Sequence, residues 1–231
     1  MDQFLLSVIV TSLGLGAALL GFQTWKAAHA RRDTRFAYLD RCNGLFSDIR
    51  TAAGATGFPR LAGHYQGGLF DIQVLPDTLT FRKLPTLWVL VTLTEPLPVR
   101  ASFDLMIRPT GVEPFSNFHA LPHQVNAPKG FPEDCAIRTD APAQLPDEAL
   151  LRRHLHHFSD AHIKEMVLSP KGARLVFLAE EAQRGRYLIF RDAEMGMEPL
   201  APDLLTPKLE ALLTLRDDLT QYAPLTESLS T

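Results

Sequence analysis

Histidines are the first residues whose types and spacing could do chemistry. His154, His156, His157 and His162 fall in one short stretch, and His119 and His123 are spaced H-x-x-x-H. Imidazoles could hold zinc, which needs three or four ligands converging on one point at about 2.1 Å. On a helix His154 and His157 share a face while His156 points elsewhere. Pro122 interrupts the other pair, so it is not a clean helical pair. These histidines read as solvated polar faces and a loop.

Other reactive types are equally isolated. Cys135 follows Glu133-Asp134. A nucleophilic thiol needs a base or a positive field beside it, and two acids do the opposite. Glu180-Glu181 sits at an expected hairpin end, whereas a glycosidase needs two carboxylates facing each other across a cleft. Gly54-x-x-Gly57 and Gly67-Gly68 lack the strand, glycine-rich turn, helix and lysine of a phosphate loop. Arg82-Lys83 and Arg184-Gly185-Arg186 are basic turns that could hold an anion or a lipid head group. No catalytic, cofactor or metal motif emerges, so the expectation is a non-enzyme without a cofactor.

The elements that must position these residues follow from periodicity. Residues 30–50 carry Phe36, Leu39, Cys42, Phe46 and Ile49 at helical spacing, until Gly54, Gly57 and Pro59 break the pattern. Three strands are predicted next, at 64–75, 87–94 and 99–108. The last places Val99, Ala101, Phe103, Leu105 and Ile107 on one face, with Arg100, Ser102, Asp104 and Arg108 on the other. Short links with Pro76-Asp77 and Glu95-Pro96 favour an antiparallel meander. Residues 110–146 form a long irregular stretch with a short strand near 135–138, and such loops are often functional. A short helix follows to about Phe158. Strands at 164–168, 173–179 and 187–191 come next. A final helix from Asp203 or Thr206 carries the stripe Leu205, Leu209, Leu212, Leu213 and Leu219.

The expected class is therefore α+β, with an N-terminal transmembrane helix and a mainly antiparallel β domain with flanking helices, in the order α-βββ-α-βββ-α. The expected division is an anchor at 1–25, a basic neck at 26–59, a soluble domain at 60–222 and a polar tail at 223–231. The motif Gly63-His64-Tyr65-Gln66-Gly67 opens the meander. Over roughly residues 60–220 the run resembles uncharacterised bacterial membrane-anchored proteins with a G-x-Y-x-G strand opening before a β meander and a closing helix–β–helix unit. The resemblance implies no activity.

The anchor prediction rests on Phe4 to Phe22, FLLSVIVTSLGLGAALLGF, which holds no charge. At 1.5 Å per residue it spans roughly 28 Å, close to a ~30 Å hydrocarbon core. Trp25 suits interface depth. Cleavage after Ala28-His29-Ala30 is the competing reading. It is disfavoured by the absence of a base before the run and by the run's length. Gly14, Ala17, Ala18 and Gly21 fall at i, i+3, i+4 and i+7, a small-residue face on which another helix could pack.

The net charge of −3 hides an asymmetry. Between Gln23 and Arg60 there are seven bases against three acids, and from Leu61 onward 16 bases against 22 acids. Lys26, Arg31, Arg32 and Arg35 follow the apolar run closely, which predicts a cytoplasmic C-terminal side and an N-terminus outside. The same bases suggest a neck lying close to lipid head groups. A nucleic-acid binder would carry its positive patch on the domain itself, so nucleic acid is excluded as a partner. Two cysteines are too few for a disulfide framework and read as thiols in a reducing compartment. The functional expectation is an interaction or accessory scaffold in the inner membrane. Its partners are the bilayer and a protein, or a second copy, met through the span. A module binding a lipid, peptide or small ligand under the 110–146 loop is the alternative, and an enzyme the third reading.

Overall fold

The computed structural model describes residues 2–78, 84–111, 113–185, 187 and 195–228, without the side chains of residues 2, 3, 5, 6, 9 and 222–228. Its centre is one antiparallel sheet of nine strands. Their chain order is β1 (Ser47–Ala53), β2 (Pro59–Tyr65), β3 (Gly68–Asp77), β4 (Thr86–Leu93), β5 (Phe103–Ile107), β6 (His123–Val125), β7 (Cys135–Thr139), β8 (Ile163–Ser169) and β9 (Gly172–Glu181). Across the sheet they run β1-β2-β3-β4-β9-β8-β5-β7-β6. Helices α1 (Asp2–Phe36), α2 (Glu148–His154) and α3 (Pro202–Ser228) complete the α+β architecture. The two strand groups expected from the sequence therefore share one sheet.

Helix α1 is unbroken from the apolar run through the basic residues to Phe36. Residues 26–36 of the expected neck thus continue the same helix, while its remainder forms 3-10 turns and β1. Ser7, Thr11 and Ser12 donate their hydroxyls to the carbonyls of Phe4, Ser7 and Val8 at 2.7–2.8 Å, so these polar groups are satisfied within the helix. Phe4, Leu13, Leu15, Leu20, Phe22 and Trp25 are all exposed, from 57% to 77%. Among the described residues no helix is long and apolar enough to cross a membrane. The side chains of Leu5, Leu6 and Ile9, three of the most apolar in the run, lie outside those described.

The helix predicted to Arg50 ends early. Ala37–Leu45 tightens into 3-10 turns that bury Tyr38, Leu39 and Cys42. The run ends after Leu45, where Phe46 N–H donates to Asn43 O and Phe46 turns extended to lead into β1, in which Ile49 is 39% exposed. The strand predicted at 64–75 is really the second half of a hairpin. Tyr65 ends β2, and Gln66 (φ 45°) and Gly67 (φ 81°) form a two-residue turn into β3. Positive φ at both positions matches the twist of the flanking strands, and Gly67 adopts it without a Cβ penalty. The G-x-Y-x-G motif is thus a strand end plus a turn.

Of the predicted meander of three strands, the β3–β4 pairing holds and the β4–β5 pairing fails. β9, not β5, pairs with β4, and β5 lies between β8 and β7. The link from β4 crosses the β8–β9 turn, where Leu97 N–H donates to Pro170 O at 3.2 Å. Only Phe103–Ile107 of the predicted 99–108 strand is strand. Arg184, Gly185 and Tyr187 are helical, with Tyr187 N–H bonded to Gln183 O at 2.9 Å, so no strand begins at Tyr187. Residues 188–191 of that predicted strand lie outside the described residues.

The inner sheet face carries Ile72, Val89, Val91, Phe103, Leu105 and Leu175, and packs on the predicted α3 stripe, all of it buried. Full burial of one such leucine stabilises by roughly 1.5–3 kcal/mol. The outer face carries a smaller cluster: Leu90, Met106 and Val176 from strands, covered by Phe115 and Phe118 of the 113–121 loop.

Candidate functional site

Three regions concentrate polar chemistry, and the outer face is the least expected. Strand alternation sends Asp104 of β5 away from the inner core, yet it is 3% exposed because the 113–121 loop covers it. Glu165 on β8 is 0% exposed. The register pairs Met106 with Glu165 and Asp104 with Val167, so the two acids are diagonal neighbours on one face. Their carboxyls lie close enough for the Glu165 charge to act on Asp104. Ser116 of the loop donates its hydroxyl to Glu165 Oε1. Asp104 Oδ1, Glu165 Oε2 and Glu113 Oε2 are buried without a donor among the described residues.

Burial raises both acids above the ordinary carboxylate range, and for Asp104 the neighbouring Glu165 charge adds to it. Arg174 on β9 opposes both shifts, and Lys164 opposes that of Glu165. Two acceptor-only groups this close cannot both ionise cheaply. One shared proton turns one of them into a donor and satisfies an oxygen on each side. Among the described residues no three His, Cys, Asp or Glu side chains converge to hold a metal ion.

The histidine stretch lies on the helical side. Asp147 accepts from Ala149 N–H at 2.7 Å and starts α2, which delivers His154 into the core at 2% exposure. His154 Nε2 bonds Asp218 Oδ2 of α3 at 3.0 Å. Burial lowers its pKa, with Asp218 pulling the other way. His157 lies against His156 with ring centroids 3.9 Å apart and the planes tilted by 45°. Burial, then the charges of His156 and His154, push His157 down to about 4. Burial alone would raise Asp160, but hydrogen bonds from Lys208 (2.8 Å) and His162 outweigh it and hold it at about 2. A cavity of about 180 Å³ beside His157 and Lys208 is otherwise lined largely by apolar groups. His154 and His157 do stand near each other as helical spacing suggests, while His119 and His123 are exposed on the loop and β6.

The third region lies where α1 joins the domain. Tyr38, Arg41, Glu180, Met197 and Leu204 line a concavity of about 430 Å³. Next to Met197, Gly196 adopts φ 72°, and a Cβ there would meet the Phe58 ring at 2.4 Å. Gly196 N–H donates to Glu180 Oε2 at 2.9 Å. Burial and the Glu180 carboxylate raise the Tyr38 phenol, and burial raises the Cys42 thiol to about 11. Burial and then Asp134 raise Cys135, in the direction its acidic neighbours imply.

Gly14, Ala17, Ala18 and Gly21 share one exposed face of α1, and no atom lies within 4 Å of a Cβ built at either glycine. Lys26, Arg31 and Arg32 are exposed along the same helix, while Arg35 lies 5.6 Å over the Phe58 ring. Glu180 lines the concavity and accepts from Gly196 N–H, whereas Glu181 is exposed at the end of β9. Arg82, Lys83 and Arg186 lie outside the described residues. Sequence reasoning missed Asp104 and Glu165. Their one signal was an acid in each of two apolar strands, together with two phenylalanines in the long loop. Comparison with known proteins adds no assignment: no family model matches, and neither a curated protein nor a solved structure matches.

Proposed function

We propose that this chain is a single-pass membrane-anchored accessory protein that assembles with a partner through its N-terminal helix and carries its α+β domain in the cytoplasm. The observation that carries this reading is the lower part of α1. Its apolar side chains are exposed, and its hydroxyls bond back to its own carbonyls. A helix that is apolar all round needs an apolar surrounding from outside the chain. With every residue of the run counted, 19 uncharged positions make roughly 28 Å, the thickness of a hydrocarbon core. The bases that follow favour the cytoplasmic side.

In this reading α1 is also a stalk. Beyond Phe22 it adds roughly 21 Å before the domain begins at 1.5 Å per residue. Arg31, Arg32 and Arg35 then stand above the head groups, accessible to a protein neighbour. The alternative, a ligand-binding module beneath the 110–146 loop, is less well supported. Phe115 and Phe118 pack directly on the sheet there, and the described concavities lie elsewhere.

Two measurements test the proposal. The full-length chain stays with the membrane fraction through a carbonate wash; its release by that wash overturns the anchor. Replacing Gly14 and Ala18 together by leucine abolishes co-purification of the native partner in mild detergent while the protein stays in the membrane. Unchanged co-purification removes the packing face from the proposal.

A further inference from the structure

The outer-face acids connect a titratable pair to a movable cover. Between β5 and β6 the described residues form no strand, and Phe118–Ala120 makes one 3-10 turn. The segment is held by a few ties. Phe115 packs on Trp88 with ring centroids 4.7 Å apart. Ser116 donates to Glu165, Glu113 lies 3.9 Å from Lys164, and Arg138 Nε donates to Leu121 O at 2.8 Å. Beneath it lie Leu90, Met106 and Val176. The inner face is covered mainly by apolar side chains of α3 and the 3-10 turns after α1, whereas this cover rests partly on a carboxyl pair.

We propose that residues 113–121 are a proton-controlled cover: one proton held between Asp104 and Glu165 seats the loop, and its loss releases the loop and bares the apolar patch around Trp88. The charged groups facing the pair come from every neighbouring strand and from the loop. Arg174 lies on β9 and Lys164 on β8, Arg138 on β7 is the register partner of Asp104, and Glu113 comes from the loop. Arg174 shares its guanidinium with Thr92 Oγ1 at 3.1 Å, Lys164 donates to Ile107 O and Arg108 O, and Arg138 is held by Leu121 O. The cations are therefore committed elsewhere in part, and Glu113 adds a negative charge. With the proton present, one carboxyl donates to the other and Ser116 completes the tie. With it gone, two buried carboxylates face each other beside Glu113. The least costly relief is water entering under the loop.

The direction follows from burial, which raises both acids. The seated state binds the proton more tightly than the open one, so acid and neutral conditions close the cover and alkaline conditions open it. The cover does not depend on how the chain is anchored.

The test uses the full chain in detergent with Trp25→Phe, leaving Trp88 as the sole tryptophan. Trp88 emission and acrylamide quenching are followed from pH 6 to 9.5, with far-UV circular dichroism as the check on folding. The expected result is a red shift and at least a twofold rise in quenching across the alkaline half, with secondary structure retained. Asp104→Asn, which keeps a hydrogen-bond donor without a titrating carboxyl, flattens the transition, and Glu165→Gln does the same from the other strand. Phe115→Ala gives the open-state emission already at pH 6. Constant Trp88 emission and quenching over the whole range overturn the proposal. An unchanged transition in whichever of the two amide variants folds overturns it as well.

Discussion

The two long helices use leucine in opposite ways. In α3, Leu205, Leu209, Leu212 and Leu219 point inward and are at most 4% exposed, and polar residues such as Glu210 and Thr214 face out. In α1, Leu13, Leu15, Leu19 and Leu20 are 56–69% exposed, and no polar face exists between Phe4 and Phe22. Apolar content alone therefore does not decide burial. A one-sided stripe is buried by its own chain. An all-round apolar surface cannot be covered by one sheet face and is left for another medium or another helix.

The sharpest way to break the comparison is to remove one leucine from the buried set. Leu209→Ala should destabilise the domain by about 2–5 kcal/mol, read as a lower urea midpoint, because it leaves a cavity against the sheet. The matching change in α1 should act elsewhere. Leu13→Arg should leave the domain's urea midpoint unchanged and cost about 3 kcal/mol of membrane insertion, read as chain recovered in the wash. If Leu13→Arg instead lowered the urea midpoint as Leu209→Ala does, α1 would be packing on its own domain and the contrast would fail.

A smaller effect sharpens the α3 side, through the histidines packed beneath it. Unfolded His157 takes up a proton near pH 6.5, about the ordinary value, whereas the folded one resists protonation until about 4. The unfolded state gains the proton first, so stability falls as pH drops between those values. Asp160, held at about 2, continues the fall below the ordinary carboxylate range. A series of urea midpoints from pH 7 to pH 4 should therefore decline, and His157→Gln should flatten the upper part of the decline. Retention of the full decline in that variant would assign it to other groups.

Much of this was legible before folding. The α3 stripe follows 3.6-residue periodicity, and β4 reads as a run buried on both faces. Asp147 before Glu148 marks the start of α2. Boundaries were lost where two signals competed. Helical spacing through Phe46 and Ile49 masked the end of the helical run at Leu45, and the alternation at His64 hid a tight turn at Gln66-Gly67. The candidate site was less legible than the fold. Asp104 sits at a position where alternation predicts a solvated side chain, and only the covering loop makes it a buried one.

By itself the sequence determined the apolar N-terminal run, the basic stretch behind it, the α+β class and the leucine stripe, because each depends on residues close together in the chain. Tertiary structure alone decided that β9 rather than β5 borders β4, that both strand groups share one sheet, and that Asp104 and Glu165 meet beneath a loop. Those outcomes depend on contacts between segments far apart in the chain. Local propensity carries no information about which distant segments will meet.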